Sequence, residues 1–192
     1  MNITSNARKR MLTCICAVIL IVAMLVTTEA SYAASKNLSV TRRQQAGNYW
    51  CWAACAQMIG SYKTGSLSAQ STIVRYVKGS AVNEGATDAE VRKAIKYACG
   101  KTTYSQSTLS FIGHEDNIDS NLPLVAKMNW NGGGAHVVVV SGYNSSASAK
   151  TLRLIDPWGS VATKSYAYSS LVNGTSIGSG TGKYVTTFYT AV

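Results

Sequence analysis

The chain has 192 residues and a formal net charge of +10, with 46% hydrophobic residues, enough for one domain with its own core. The basic residues (Lys36, Arg42, Arg43, Lys63, Arg75, Lys78, Lys93, Lys96 and Lys101 among them) are scattered. No aromatic-interleaved basic block and no Gly-rich phosphate loop accompanies them, so nucleic-acid binding is not expected. A positive balance of this kind favours solubility and attraction toward anionic surfaces, such as a cell envelope.

The first segment reads as a secretory signal peptide. Arg8-Lys9-Arg10 precede an uncharged apolar run from Met11 to Val26, and small residues follow in Ser31-Tyr32-Ala33-Ala34. Cleavage is expected after Ala33, which divides the chain into a signal at 1–33 and a domain at 34–192, with a secreted location. The alternative is an uncleaved anchor, for which the apolar run is short. Loss of Arg8, Lys9, Arg10 and Glu29 would lower the net positive charge by two. Cys14 and Cys16 would leave as well, so that Cys51, Cys55 and Cys99 remain. An odd count in an exported chain suggests one disulfide and one free thiol, Cys55 pairing with Cys99 if Cys51 is the free one. Three reduced cysteines are the alternative.

Residues 34–44 are polar and expected to be an extended lead-in. Trp52, Ala53, Ala56, Ile59 and Gly60 recur at helical spacing, predicting a buried helix from Cys51 to Tyr62 that ends near Gly60 or Gly65. A short amphipathic helix is expected over Ser68 to Val77. Thr87-Asp88-Ala89-Glu90 is a capping box that starts a third helix, and Gly100 stops it. Leu109 to Ile112 reads as a short strand, and Glu115 to Asn121 as one helical turn. Strands are then expected over Leu124 to Trp130, His136 to Tyr143, Leu152 to Ile155, Val161 to Tyr168 and Tyr184 to Tyr189. Asn173 to Gly182 is Gly/Ser-rich and reads as a mobile loop. Helices first and strands second argue for an α+β fold.

The chemistry begins at Cys51. It sits in Gln45-Ala-Gly-Asn-Tyr-Trp-Cys51-Trp52-Ala53-Ala54, in the first turn of the expected buried helix. A helix N-terminus favours a thiolate, which suits a nucleophile better than core filler. A thiol nucleophile needs a base, a group that orients the base, and donors for the developing oxyanion. His136 follows Gly132-Gly133-Gly134 at the mouth of an apolar strand, where an imidazole can transfer protons. His114 lies in Gly113-His114-Glu115-Asp116 and is read as exposed. Asp156 ends a strand before Pro157-Trp158-Gly159 and can orient His136. Gln45 can donate to the oxyanion together with the Cys51 backbone N–H, although adjacent Gln44 is an equal candidate on spacing alone. A zinc site from Cys51, Cys55, Cys99 and His136 would lack close-set ligand pairs, so no metal or other cofactor is expected.

These residues resemble a papain-like cysteine peptidase. Gln45 stands six residues before Cys51, and Cys51-Trp52-Ala53 is similar to the start of that family's central helix. His136 is followed by apolar residues and Gly142-Tyr143, and Asp156-Pro157-Trp158-Gly159 stands where the family carries Asn-Ser-Trp-Gly. The resemblance runs from about Gln45 to Gly159. It implies a papain-like α+β fold, with an N-terminal helical half bearing the nucleophile on a central helix packed on a C-terminal antiparallel sheet that carries His136 and Asp156. It implies Cys51, His136, Asp156 and Gln45 as the catalytic set, with Trp158 shielding the base. Asp in place of Asn resembles compact bacterial members, including bacteriocin-leader peptidases and secreted plant-pathogen effectors. Only about a dozen residues separate Ala33 from Gln45, too few for a long inhibitory propeptide.

The expectation is a secreted, monomeric thiol peptidase that cuts polypeptides through an acyl-enzyme. Acyl transfer to an amine uses the same apparatus. Two alternatives differ in class: a Cys-His cell-wall amidase acting on peptidoglycan, and a non-catalytic binding module on a papain scaffold.

Overall fold

The computed structural model describes residues 35–145 and 149–191; the expected signal segment lies outside the described residues. It has helices in its first half and an antiparallel sheet in its second, the α+β arrangement expected. The central helix α1 (Cys51–Thr64) is buried along Trp52–Gly60 on every face, as a helix in the middle of a core must be. It stops at Gly65, whose left-handed backbone (φ 72°) returns its N–H to the Ser61 carbonyl. Gly60 lies inside the helix because α1 meets another helix there: a Cβ at Gly60 would stand 2.6 Å from the Ala98 carbonyl oxygen. Helix α2 (Gln70–Lys78) and helix α3 (Asp88–Cys99) complete this half. In α3 the Thr87 side chain accepts from the Glu90 N–H, and the Glu90 side chain accepts from the Thr87 N–H, the reciprocal cap read in the sequence.

Short strands β1 (Ser35–Asn37) and β2 (Thr103–Ser107) and helix α4 (Phe111–Asp119) lead into the sheet. The sheet continues with β3 (Leu124–Trp130), β4 (Ala135–Asn144), β5 (Thr151–Ile155) and β6 (Lys164–Ala167). A helical turn α5 (Tyr168–Asn173) then precedes the hairpin of β7 (Thr175–Ile177) and β8 (Gly180–Thr190). The strands run in the order β2-β8-β3-β4-β5-β6; β1 adds to β4, and β7 to β8. Where β1 crosses β4, only glycine fits at 142, since a Cβ there would stand 2.6 Å from the Lys36 carbonyl oxygen. Strand β4 is buried from His136 to Tyr143, and α1 packs on it: the Cys55 thiol donates to the Val137 carbonyl at 3.3 Å.

Four expectations need correction. Leu109 to Ile112 is not a strand, and the helix over 115–121 is longer than one turn: Ser110 caps α4 by accepting from the Gly113 N–H. Phe111, His114 and Ile118 form one buried helical face, a spacing that a short apolar run conceals. His114 is accordingly buried, not exposed; its Nδ1 lies 2.8 Å from the Ser110 carbonyl and its Nε2 3.0 Å from the Tyr184 hydroxyl. The Gly/Ser-rich stretch 173–182 is not an open loop, because most of it pairs as the β7–β8 hairpin. Of the two cysteine states left open by the sequence, the reduced one is found: Cys51, Cys55 and Cys99 are all free thiols. Cys55 points at β4 while Cys99 sits at the end of α3 near the Lys101 carbonyl, so the two sulfurs serve different contacts.

Burial pushes His114 down to about 4 against the pull of its bond to Ser110. A histidine held neutral in the folded state stabilises fully above its unfolded value of about 6.5 and progressively less as the pH falls through 4. Acidification over that window should remove about 3 kcal/mol of stability through this one group. Urea unfolding at pH 7 and pH 4 checks this: the loss should be clearly smaller in His114→Gln than in the unaltered protein.

Candidate active site

Cys51 is the first residue of α1, half-buried, with Trp50 at the N-cap. The indoles on either side of it both donate to one loop, Trp50 Nε1 to the Val82 carbonyl at 2.8 Å and Trp52 Nε1 to the Glu84 carbonyl at 3.0 Å. The Tyr49 N–H adds a third bond, to Asn83 Oδ1. These straps hold the segment before α3 beside the sulfur, so that Gly85 and Ala86 line the same cleft as Cys51. The tryptophan pair in the sequence therefore builds a wall of the site as well as filling the core.

His136 is the second residue of β4. The turn before it needs backbone that only glycine adopts freely, with φ of 92° at Gly133 and 79° at Gly134. Met128 lies opposite His136 across the β3–β4 ladder, which puts Trp130 diagonally beside it on the same face. The Trp130 ring stacks on the imidazole at 5.8 Å between centroids, 17° from parallel. Asp156 follows the last residue of β5, the neighbour of β4, and its Oδ1 accepts from His136 Nε2 at 2.8 Å. Cys51 and His136 line the same cleft, and the Cys51 side chain raises the proton affinity of the imidazole. Cys51, His136 and Asp156 thus form one row, drawn from α1, β4 and the end of β5, with the bond between His136 and Asp156 fixing one end.

The electrostatics of the row agree at both ends. Burial alone would lower His136, but its bond to Asp156 and its interaction with the Cys51 side chain outweigh that and raise it to about 9. Burial likewise works against the Asp156 charge, yet the His136, Ser179 and Trp158 donors hold it below the usual carboxylate range. Together these favour an imidazolium beside a carboxylate at neutral pH. Ser179 Oγ donates to Asp156 Oδ2 at 2.6 Å, and the Trp158 N–H donates to Oδ1 at 2.9 Å.

Gln45 is buried and Gln44 is exposed. Gln45 Nε2 donates to the Gly47 and Asn48 carbonyls, each at 2.9 Å, and its Oε1 has no partner. Its amide is thus turned onto its own loop. Trp158 is 44% exposed and lines the cleft, while the ring stacked on the base is that of Trp130. The cleft has a volume of about 500 Å³, and Cys51, His136, Trp130, Ser179, Val91 and the Lys127–Asp88 ion pair (2.7 Å) are on its surface. Among the described residues no group of three or more His, Cys, Asp or Glu side chains is placed to hold a metal. Ser179, Trp130 and Arg42 are the site residues that sequence reasoning missed. Trp130 carried a signal, since it ends a predicted strand just ahead of the glycine turn.

A thiol on a helix start, an imidazole and a carboxylate, set between a helical half and an antiparallel sheet, define a papain-like thiol peptidase. Comparison with known proteins says the same. The family of papain-like cysteine proteases described as AvrRpt2 matches residues 34–172, and the chain belongs to it. Among solved structures the chain is similar in fold to a C39-like peptidase from Bacillus anthracis, with a TM-score of 0.59 and 13% identity over 83% of this chain and 98% of that one. It is also similar to digestive procathepsin L 3 of Tenebrio molitor larval midgut, with a TM-score of 0.54 and 14% identity over 87% of this chain and 72% of the other. No match was found among curated protein sequences. The protein is therefore a cysteine-type peptidase with a papain-like fold.

Proposed function

We propose that this peptidase is secreted and hydrolyses peptide bonds of polypeptide substrates through Cys51, His136 and Asp156. The observation that carries the reading is the His136 imidazole, bonded to Asp156 and set with Cys51 on the surface of one cleft. In this mechanism the Cys51 sulfur adds to the substrate carbonyl carbon, and the C–O π pair becomes an oxyanion. The Cys51 backbone N–H at the start of α1 stabilises it. Gln45 joins as a donor when a substrate draws its amide from the Gly47 and Asn48 carbonyls. His136 then gives its proton to the leaving amine as the C–N bond breaks, leaving a thioester. Water, deprotonated by His136, attacks the thioester and releases Cys51. Asp156 holds the ring orientation throughout and favours the charged imidazole.

The sequence supports the secreted location through its basic, apolar and small-residue order at 1–33, and the net positive charge is compatible with an anionic envelope. No cofactor enters any step, and the chain is proposed to act as a monomer. Digestion of a peptide library, run beside Cys51→Ala, tests the substrate class. Defined peptide cleavage that disappears in Cys51→Ala is expected. Clearing of purified peptidoglycan suspensions with no peptide cleavage would instead establish the cell-wall amidase, and binding indifferent to Cys51 would establish the non-catalytic module.

A further inference from the structure

The turn that carries Asp156 is held by a segment far from it in sequence. Arg42 Nε donates to the Asp156 carbonyl at 2.8 Å. Its Nη2 reaches the Trp158 carbonyl at 3.1 Å and also the Gly159 carbonyl. The remaining carbonyl of the turn, that of Pro157, accepts from the Gln45 N–H at 2.9 Å. All four carbonyls from Asp156 to Gly159 therefore accept from the short stretch between Arg42 and Gln45. That stretch continues directly into the Cys51 loop, and its buried Gln45 side chain donates to the Gly47 and Asn48 carbonyls of that loop.

This pattern does more than satisfy polar groups. The carboxylate of Asp156 is bonded by His136, Trp158 and Ser179, and its aim at the imidazole depends on where the turn's backbone lies. Pro157 contributes no N–H to fasten that backbone. A guanidinium is a planar fork with five N–H donors, so one Arg can fix several carbonyls at once, which a lysine ammonium cannot match. We propose that Arg42 is a positioning residue of the peptidase reaction, registering the Asp156 turn against the Gln45–Cys51 segment so that the carboxylate holds His136 toward the sulfur. The role rests on the triad reading above and acts wholly through Asp156. The titratable groups that bear on His136 are Asp156 and Cys51, and both are positioned by the two segments Arg42 ties together.

The test is a ring-proton NMR titration of the histidines, paired with kcat and KM, in the unaltered protein, Arg42→Ala and Arg42→Lys. The chain has two histidines, so the spectrum is simple to assign. The expected result is a lower His136 midpoint and a kcat reduced about tenfold with KM little changed in Arg42→Ala, with Arg42→Lys intermediate. A role in stability alone would lower the thermal midpoint while leaving the His136 titration and the kcat of folded protein unmoved, and that result overturns the proposal. If Arg42→Ala does not fold, Arg42→Lys decides by the same two readouts. The titration needs no turnover, so the two readings fail separately. A chain with a high His136 midpoint that cleaves nothing contradicts the peptidase reading. Unchanged midpoints and kcat in folded Arg42 variants contradict the positioning role.

Discussion

Replacing His136 with Ala should lower kcat/KM on a peptide substrate by on the order of a thousandfold or more, with the fold intact. The size follows from the number of steps that use this one ring. In the proposed mechanism it keeps the sulfur nucleophilic, delivers the proton to the leaving amine and takes one from water in the second half-reaction. No other described side chain is placed to substitute for it: the second histidine, His114, is buried against Ser110 and Tyr184. Kinetics on folded His136→Ala, with circular dichroism to confirm the fold, check this. A reduction of less than tenfold would remove His136 from the chemistry.

Replacing Asp156 with Ala should lower kcat by roughly 10- to 150-fold and move the alkaline limb of the pH profile downward. The first figure is a charge-assisted hydrogen bond of about 1.5–3 kcal/mol expressed as a rate. The second follows from sign. His136 is raised to about 9 by Asp156 and Cys51 against burial, so the imidazolium that protonates the leaving amine persists up to that pH. Activity should therefore fall as the pH rises through 9. Without Asp156 burial gains weight, the ring loses its proton earlier, and the fall begins at lower pH. The same shift bears on stability. A raised histidine stabilises fully below its unfolded value of about 6.5, and that contribution is lost as the pH rises through 9. A pH profile of kcat for Asp156→Ala that overlays the original would show that the carboxylate does not act through His136.

Local signals carried much of this molecule. The Thr87–Glu90 cap, the glycine stops at Gly65 and Gly100 and the apolar stretches Leu124–Ala126 of β3 and Val137–Val140 of β4 are each decided by residues within a few positions of one another, so helices and central strands were readable in order. Cys51, His136 and Asp156 stood out in the sequence because each lies at the start or end of a predicted element. What was hidden depends on distant partners. His114 looked polar in its loop because its company, Phe111 and Ile118 on α4 and Tyr184 on β8, becomes visible only when the helix is seen to turn inward. Ser179 sits in a Gly/Ser-rich stretch that composition assigns to a loop, yet pairing of β7 with β8 carries its hydroxyl to Asp156. Arg42 reads as one basic residue among many, and its three carbonyl partners lie more than a hundred residues away. The difference in burial between Gln44 and Gln45 is likewise invisible in their spacing.

The central claim is that Cys51, alone of the three thiols, is the nucleophile poised by His136. Its most direct test is intact-mass analysis after brief exposure to a thiol-directed peptidyl inhibitor, comparing the unaltered protein with Cys51→Ala and His136→Ala. Cys55 is fully buried, with its thiol on the Val137 carbonyl, and burial pushes it well up; Cys99 is also buried and raised by the same cause. One adduct should form, mapping to Cys51; it should be absent from Cys51→Ala and strongly slowed in His136→Ala. An adduct that persists in Cys51→Ala, or labelling that ignores the loss of His136, would contradict the account.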